Sequence, residues 1–284
     1  MKLKEAFEII ETKLIEGGID AKRDAEELVL YGVGVSVKED PEKELNESQM
    51  QILNELMRRR IGHEPLQYIL GEWDFYDKTF CVGDGVLIPR PDTETLVEKC
   101  IEDNSERENL ILVDLCAGSG CIGLTLEDKL SLKELYMVER SESAYRYMTK
   151  NAENFGSKAK LILGDIFDEE VIKKLPSADI ITCNPPYLNV TDMTPGVLQE
   201  EVSFEPFEAL YGGEDGLEYY RKTARLYKDK LKESGKLYFE IGMGQEEEVM
   251  RILIQNGYTN VRKKKDYSGI YRVITAGVSN EYAD

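Results

Sequence analysis

The sequence predicts an α/β protein in which a small helical domain and a linking β-hairpin precede a mostly parallel sheet. Three observations predict this arrangement. Beyond residue 91, short apolar runs alternate with stretches of helical period, which is typical of a sheet covered by helices on both faces. Before residue 71, apolar residues recur at helical spacing. Between the two regions, apolar residues nearly alternate around a Gly-Asp-Gly turn.

The first 70 residues predict the helical domain. Three runs place apolar residues three or four positions apart, so each run presents one apolar face. The runs contain Ala6, Ile9, Ile10 and Leu14, then Ala25, Leu28 and Val29, then Met50, Leu53, Leu56 and Met57. We expect residues 1–70 to form a separate unit that recognises a substrate.

The stretch "GEWDFYDKTFCVGDGVLI" predicts the hairpin. Apolar residues alternate on either side of Gly83-Asp84-Gly85, and a Gly-Asp-Gly sequence is a common hairpin turn. We therefore expect residues 71–90 to be a β-hairpin linker with its turn at these glycines.

The rest of the chain, residues 91–284, predicts a seven-stranded sheet. The first five strands are nearly continuous apolar runs separated by helices, and the last two form an antiparallel hairpin joined by a short glycine-containing turn. The predicted strands are 110–115, 134–139, 160–165, 179–184, 236–241, 260–266 and 270–276.

Composition narrows the possible functions. The chain has 55 acidic and 36 basic residues and a formal net charge of -19, which disfavours a surface that follows nucleic-acid phosphates. No apolar run is long enough to span a membrane, so we expect a cytoplasmic protein without a membrane partner. Five cysteines without a C-x-x-C pair indicate reduced thiols and no zinc, and we expect no metal.

Polar residues stand where the predicted strands end. The first strand runs into "DLCAGSGCIG", which contains Gly118 and Gly120, and the next three end at Glu139, Asp165 and Asn184. Because ligands of such sheets bind across the carboxyl ends of the strands, we expect these residues to share one site. A glycine loop alone is weak support, but acidic residues at successive strand ends strengthen the prediction.

The chemistry of these residues predicts the ligand. Asp114 would repel a pyrophosphate but can receive an ammonium group, and Glu139, 25 residues later, can accept hydrogen bonds from ribose hydroxyls. Asp165 can accept from an adenine amino group while Ile166 packs on the ring. The glycines match neither G-x-G-x-x-G nor a P-loop. An adenosine that carries an amino acid and no phosphate is S-adenosylmethionine, which is the predicted cofactor.

The sequence "NPPY" predicts where the methyl group goes. Pro185 and Pro186 fix an extended loop, so the side chain of Asn184 and the main-chain carbonyl of Pro185 can hold an incoming NH₂ group. We assign Asn184 and Pro185 the catalytic role of orienting this nitrogen, and Tyr187 the role of covering the acceptor. Packing against the helical domain is an equal alternative for Tyr187, and a structural turn is the alternative for the whole motif.

At this point the sequence resembles the PrmC/HemK family of protein-(glutamine amide) methyltransferases, which modify the Gly-Gly-Gln glutamine of peptide-chain release factors. The resemblance covers nearly the whole chain. It rests on "EPLQYILGEWDF" (64–75), "VLIPRPDTETLVE" (86–98), "DLCAGSGCIGL" (114–124), "GDIF" (164–167), "NPPYL" (184–188), "EPFEALYGGEDGLEYY" (205–220) and "EIGMGQ" (240–245).

The resemblance implies a class I S-adenosylmethionine-dependent methyltransferase with a Rossmann-like sheet, whose substrate glutamine is held by residues 184–187. Cys116 stands where many members have glycine, and Glu139 where aspartate is frequent. "LIPRPDTE" then either lines the acceptor entrance through Leu87 and Pro89 or acts as a structural strap. The implied cofactor-binding residues are Cys116, Ala117, Gly118, Ser119, Gly120, Glu139, Ile166 and Asn184.

The predicted function is therefore methylation of a glutamine amide in a release factor, by a chain expected to be a monomer with no nucleic-acid partner. Two alternatives remain open. The same motif suits an exocyclic amine of a flipped DNA or RNA base, stacked on Tyr187. A non-catalytic adaptor that binds a protein through the helical domain is the other.

Overall fold

The computed structural model describes residues 1–194, 197–198 and 200–279. The chain divides into two compact units. The first comprises Met1–Glu72 and the short 3-10 helix Glu200–Phe204. The second comprises Trp73–Leu198 and the chain from Glu205 onward.

The first unit is helical, as the spacing of its apolar residues predicts. Each helix buries one apolar stripe; in α1 the buried residues are Leu3, Ala6, Ile10 and Leu14. Local signals set the boundaries: the side chain of Asn46 accepts the Gln49 N–H at 2.9 Å and so caps α3, while Gly34 ends α2 with φ +74°. The helices are α1 (Leu3–Glu16), α2 (Ala21–Val33), α3 (Glu47–Ile61) and α4 (Leu66–Leu70).

A hairpin of β1 (Glu72–Phe75) and β2 (Lys78–Cys81) follows the four helices. The predicted hairpin turn at Gly83 and Gly85 is wrong, because the hairpin reverses earlier, at Tyr76, whose φ is +59°. The chain does turn at these glycines, where the Val86 N–H donates to the Gly83 carbonyl at 3.3 Å and Gly85 has φ +87°, but this turn joins no two strands. The glycines also allow close packing. A Cβ at Gly83 would lie 2.2 Å from the Tyr147 hydroxyl oxygen, and one at Gly85 would lie 2.6 Å from Cβ of Ser143.

The seven-stranded sheet confirms the predicted fold class. Its strand order is β5-β4-β3-β6-β7-β9-β8, with β9 antiparallel to both neighbours. The chain fills one side of β3 and then crosses to β6 on the other side, so the switch point lies between β3 and β6. The strands are β3 (Leu110–Leu115), β4 (Leu132–Glu139), β5 (Lys160–Leu163), β6 (Ala178–Cys183), β7 (Leu231–Glu240), β8 (Thr259–Lys265) and β9 (Tyr271–Gly277).

Helices cover both faces of the sheet. Successive residues of a buried strand point to opposite faces, so both faces carry apolar side chains that pack against helices. On β3, Leu112 belongs to the apolar cluster that includes residues of α5, α6 and α7, whereas Val113 belongs to the cluster that includes residues of α8, α10 and α11. The helices are α5 (Pro91–Asn104), α6 (Cys121–Lys129), α7 (Glu142–Asn154), α8 (Glu169–Lys174), α9 (Phe207–Leu210), α10 (Glu218–Tyr227) and α11 (Glu246–Gln255), with a 3-10 turn at Lys228–Lys230. Strands β3 to β6 run parallel to one another, so their carboxyl ends lie together at one edge of the sheet.

Candidate functional site

A cavity of about 570 Å³ lies within the second unit at the carboxyl ends of the strands, within the usual volume range of small-molecule sites. It brings together most of the predicted site residues. Its lining includes Cys116, Ala117, Gly118, Ser119, Glu139, Asp165, Ile166, Asn184 and Pro186. Asp114, Gly120, Pro185 and Tyr187 are absent from this lining.

The glycine loop curves around one end of the cavity. Three of its residues have positive φ: Cys116 (+56°), Gly118 (+57°) and Gly120 (+82°). A Cβ at Gly118 would meet no atom within 4 Å, so a ligand can approach the main chain there. The hydroxyl of Ser119 is buried without a hydrogen-bond partner of standard geometry among the described residues. The loop thus offers an open backbone and one unused polar group.

Glu139 ends β4 beside this loop and is only 8% exposed. Its two oxygens accept main-chain hydrogen bonds, Oε2 from Gly118 N–H at 2.8 Å and Oε1 from Ser141 N–H at 2.7 Å. Each carboxylate oxygen has a further lone pair for a ligand hydroxyl. The backbone therefore fixes this carboxylate in an orientation that suits a diol.

Asp114 lies behind the loop and is fully buried. Its Oδ2 accepts from Gly123 N–H at 3.0 Å and its Oδ1 from the Thr182 hydroxyl at 2.7 Å. Burial raises the pKa of Asp114 to about 7. This carboxylate ties the start of α6 to β6; its contact with an ammonium group stays a prediction.

Asp165 and Ile166 line another part of the cavity. Oδ1 of Asp165 accepts from Phe167 N–H at 2.8 Å, which leaves Oδ2 available to a ligand donor. The neighbouring Tyr219 ring also lines the cavity and lies 5.1 Å from the Phe167 ring, between centroids. This wall is apolar with one carboxylate, as an adenine ring requires.

The N-P-P-Y segment follows β6, and its residues Asn184 and Pro186 line the cavity. Asn184 is partly exposed, and its Nδ2 donates to Oγ1 of Thr93 at 3.3 Å. Pro185 and Pro186 are buried. The carbonyl of Tyr187 accepts from Nε2 of Gln245 at 2.9 Å. These contacts hold the segment in one conformation.

The glycines of "YGGEDG" let the chain pack closely against this segment. A Cβ at Gly212 would lie 2.6 Å from the Pro186 carbonyl oxygen, and one at Gly216 would lie 2.3 Å from the Tyr187 carbonyl oxygen. This stretch is part of the family resemblance described above, and its physical role is close packing against the N-P-P-Y backbone.

Sequence reasoning missed two residues beside this segment, Thr93 and Glu240. Thr93 lies in the first turn of α5 and lines the cavity, and Glu240 ends β7. Glu240 accepts from the Tyr187 hydroxyl at 3.4 Å. Glu240 could have been predicted in the same way as Glu139, because it too is a carboxylate at the end of a strand. Thr93 has no comparable signal beyond its place in "PRPDTE".

The stretch "LIPRPDTE" lines the cavity and is anchored within the second unit, while its role at the acceptor entrance stays a prediction. Leu87, Pro89 and Arg90 line the cavity. Arg90 also pairs with the carboxylate of Glu205, which accepts from Ile88 N–H at 3.2 Å and whose pKa burial raises. The segment is thus both a wall of the cavity and an anchored strap.

These features fit S-adenosylmethionine. The open backbone at Gly118 and the unused Ser119 hydroxyl suit the amino-acid part, the Glu139 carboxylate suits a ribose, and the wall at Asp165 and Ile166 suits adenine. No group of three or more His, Cys, Asp or Glu side chains that could hold a metal occurs among the described residues. Within the same residues, no helix has the length and apolar character needed to cross a membrane.

Comparison with known proteins shows which family this chain is similar to. Residues 5–71 match the model of the PrmC N-terminal domain, and residues 91–204 match that of the methyltransferase small domain. A release factor glutamine methyltransferase of Thermodesulfovibrio yellowstonii is 38% identical over 89% of this chain and 91% of its own length. One from Geobacter sulfurreducens is 36% identical over 87% of this chain and 84% of its own length.

Solved structures support the fold. A methyltransferase from Pyrococcus furiosus superposes with a TM-score of 0.51 at 16% identity, covering 72% of this chain and 88% of its own. Identity this low carries the fold alone, and that fold agrees with the sheet order described above.

Proposed function

The chain belongs to the release factor glutamine methyltransferase family, and from that premise we propose that it methylates the side-chain amide nitrogen of a glutamine in the Gly-Gly-Gln motif of a release factor. S-adenosylmethionine is its methyl donor. One observation carries the proposal at the level of the site. The amide of Asn184 lines the same cavity as the carboxylates of Glu139 and Asp165, so a methyl donor and an amide acceptor can meet there.

The cofactor would be held by the glycine loop and by two strand ends. Glu139 would bind the ribose hydroxyls, Asp165 the adenine amino group, and Ile166 the ring face. Residues 116–120 would surround the amino-acid part, with Asp114 holding the loop from behind. When bound, this cofactor supplies an electrophilic methyl group on a sulfonium sulfur.

The acceptor amide would be held by its N–H hydrogens. Oδ1 of Asn184 and the main-chain carbonyl of Pro185 are the two acceptor atoms, and neither has a hydrogen-bond donor among the described residues. Pro186 and Tyr187 keep this part of the loop rigid. An amide nitrogen is a poor nucleophile because its lone pair is delocalised. Hydrogen bonds that strengthen as positive charge develops on it stabilise the transition state more than the ground state.

The chain's contribution is thus alignment and electrostatics. The nitrogen gains a methyl group and becomes strongly acidic, so its proton can leave to water without a base of tuned pKa. Alignment requires the cavity walls to be fixed beforehand, which the main-chain hydrogen bonds of Glu139 and the prolines after Asn184 provide.

The acceptor protein is the one partner that this proposal requires. We further propose that the chain works in the cytoplasm as a monomer and without binding nucleic acid. The charge of -19 supports the last point, because a nucleic-acid surface normally carries a basic excess.

The test is transfer of a radiolabelled methyl group to a purified release factor, with DNA and RNA as competing acceptors. We expect label in the release factor, located by mass spectrometry on the predicted glutamine. A release factor in which that glutamine is replaced by alanine is the matched control and should remain unlabelled. Label in nucleic acid would favour the base-amine alternative, and no transfer to any acceptor would favour the adaptor.

A further inference from the structure

Thr93 contacts the side chain proposed to orient the acceptor. It is 2% exposed, and its Oγ1 accepts from Nδ2 of Asn184 at 3.3 Å. Its position is fixed, because Pro91 begins α5 and the Thr93 N–H donates to the Arg90 carbonyl at 3.1 Å. The NH₂ end of Asn184 is therefore held by a stationary hydroxyl.

Glu240, the last residue of β7, is 1% exposed. Its Oε1 accepts from the Tyr187 hydroxyl, whereas its Oε2 has no hydrogen-bond partner of standard geometry among the described residues. The Thr93 hydroxyl is close enough to act on this carboxylate as a hydrogen-bond donor that lowers its pKa. One carboxylate thus accepts directly from Tyr187, and the hydroxyl that lowers its pKa is the one that accepts from Asn184.

Building on the proposed role of Asn184, we infer that Thr93 and Glu240 are positioning residues that fix which end of the Asn184 amide faces the acceptor. An ionised carboxylate only accepts hydrogen bonds, and a hydroxyl has one hydrogen to give. When Thr93 donates that hydrogen to Glu240, its oxygen has only lone pairs left and selects the NH₂ end of Asn184. Oδ1, on the other arm of the planar amide, then remains for the acceptor.

The orientation of the Asn184 amide matters because the flipped orientation would not bind the acceptor. If the Asn184 amide were flipped, its NH₂ group would face an acceptor nitrogen that also carries hydrogens, and two donors would oppose each other. A hydrogen-bond partner that cannot donate to Asn184 excludes this orientation. Thr93 meets that requirement only while the neighbouring carboxylate takes its hydrogen.

The protonation of Glu240 supplies a second readout. Burial raises the pKa of this carboxyl to about 7, opposed by Thr93, Arg272 and Tyr187. Once protonated, Glu240 can donate to Thr93, which frees the hydroxyl to donate to Asn184 and removes the preference. The groups that face Glu240 are the hydroxyls of Thr93, Tyr187 and Tyr220, the guanidinium of Arg272, the carboxylate of Asp92, and the thiols of Cys121 and Cys183.

The decisive comparison is Thr93→Val against Thr93→Ser. Valine keeps the shape and removes the hydroxyl, whereas serine keeps the hydroxyl. We expect Thr93→Val to lower single-turnover transfer to release factor by about tenfold or more, with cofactor affinity within about threefold of the parent. Thr93→Ser should restore most of the rate. In the parent the rate should rise as the pH increases through about 7, and in Thr93→Val the part of this rise that comes from Glu240 should disappear. Asp114 titrates in both proteins and cancels in the comparison.

A substrate-free measurement separates this inference from the proposed function. The side-chain NH₂ signals of Asn184, assigned with an Asn184→Ala sample, should show one ordered pair in the parent and in Thr93→Ser. They should broaden or average in Thr93→Val. Unchanged signals in Thr93→Val overturn the inference whether or not a release factor is the acceptor. Equal rate losses in the valine and serine variants, at similar melting temperatures, overturn it as well. A parent without release-factor activity but with the expected signals contradicts only the proposed function.

Discussion

The two ends of the cavity hold their key carboxylates in different ways. Glu139, at the end proposed to bind the cofactor, accepts two main-chain N–H groups at 2.8 and 2.7 Å. Glu240, behind the end proposed to bind the acceptor, accepts a tyrosine hydroxyl at 3.4 Å and leaves one oxygen without a standard partner. Backbone therefore fixes the first end, and side chains fix the second. Substitutions at the second end should impair transfer while sparing cofactor binding.

The largest effect is expected from Asn184→Ala. Losing a preorganised hydrogen-bond partner of the reacting group should reduce single-turnover methyl transfer about a hundredfold or more. Cofactor affinity should fall much less, because the contacts of Glu139 and Asp165 remain. Rapid-quench transfer and calorimetry measure the two quantities. The matched control is Asn154→Ala, which removes an exposed amide outside the cavity lining and should retain the parent rate. A loss below about threefold with an unchanged melting temperature would remove Asn184 from the mechanism.

The opposite outcome is expected from Glu139→Ala. Removing this acceptor should weaken S-adenosylmethionine binding by about 1–3 kcal/mol, the scale of a charge-assisted hydrogen bond. The transfer rate at saturating cofactor should change less than the affinity. Glu139→Asp is the control, since it keeps a carboxylate at the strand end. Unaltered calorimetric affinity in Glu139→Ala would contradict the ribose assignment.

A smaller effect is expected in the pH dependence of stability on replacing Glu240 by glutamine. The folded pKa of Glu240 lies above its usual value, at about 7, because the carboxyl is buried. The folded state therefore keeps a proton that the unfolded chain has lost, and this contribution to stability disappears as the pH rises from about 4.5 through 7. The parent should lose on the order of 1–3 kcal/mol relative to Glu240→Gln between pH 5 and pH 8.

Urea unfolding of both proteins at the two pH values measures this difference. Asp114 also has a pKa raised to about 7, but it is present in both chains and cancels. Parallel pH dependences would show that Glu240 does not titrate in this range, and the pH readout proposed for Thr93 would lose its basis.

The difference between groups held by nearby backbone and groups held by distant side chains also explains which parts of the site could be predicted from the sequence. Strands such as β3 are continuous apolar runs, and the residues that end them follow from topology, so Glu139, Asp165 and Asn184 were found from local signals. Thr93 was missed because its contact with Asn184 joins positions 91 residues apart. The hairpin turn was misplaced because the glycines at 83 and 85 do mark a turn, but one that follows the hairpin and packs closely against α7. Partners distant in the chain leave no local pattern.

The smallest effect concerns Cys116, a residue of the glycine loop that has positive φ without being glycine. The residue has φ +56°, a region that costs an L-residue about 1–2 kcal/mol and glycine almost nothing. Cys116→Gly relieves that strain but loosens the unfolded chain by about 0.4–1 kcal/mol and loses the packing of the thiol. The net change should therefore be small. The informative comparison is with Cys116→Ala, which also loses the thiol but keeps the strained Cβ. Urea unfolding should find Cys116→Gly at least as stable as Cys116→Ala, with similar cofactor affinities because the contacts of Glu139 are main-chain. A clearly more stable alanine variant would mean that the loop carries no strain at this position.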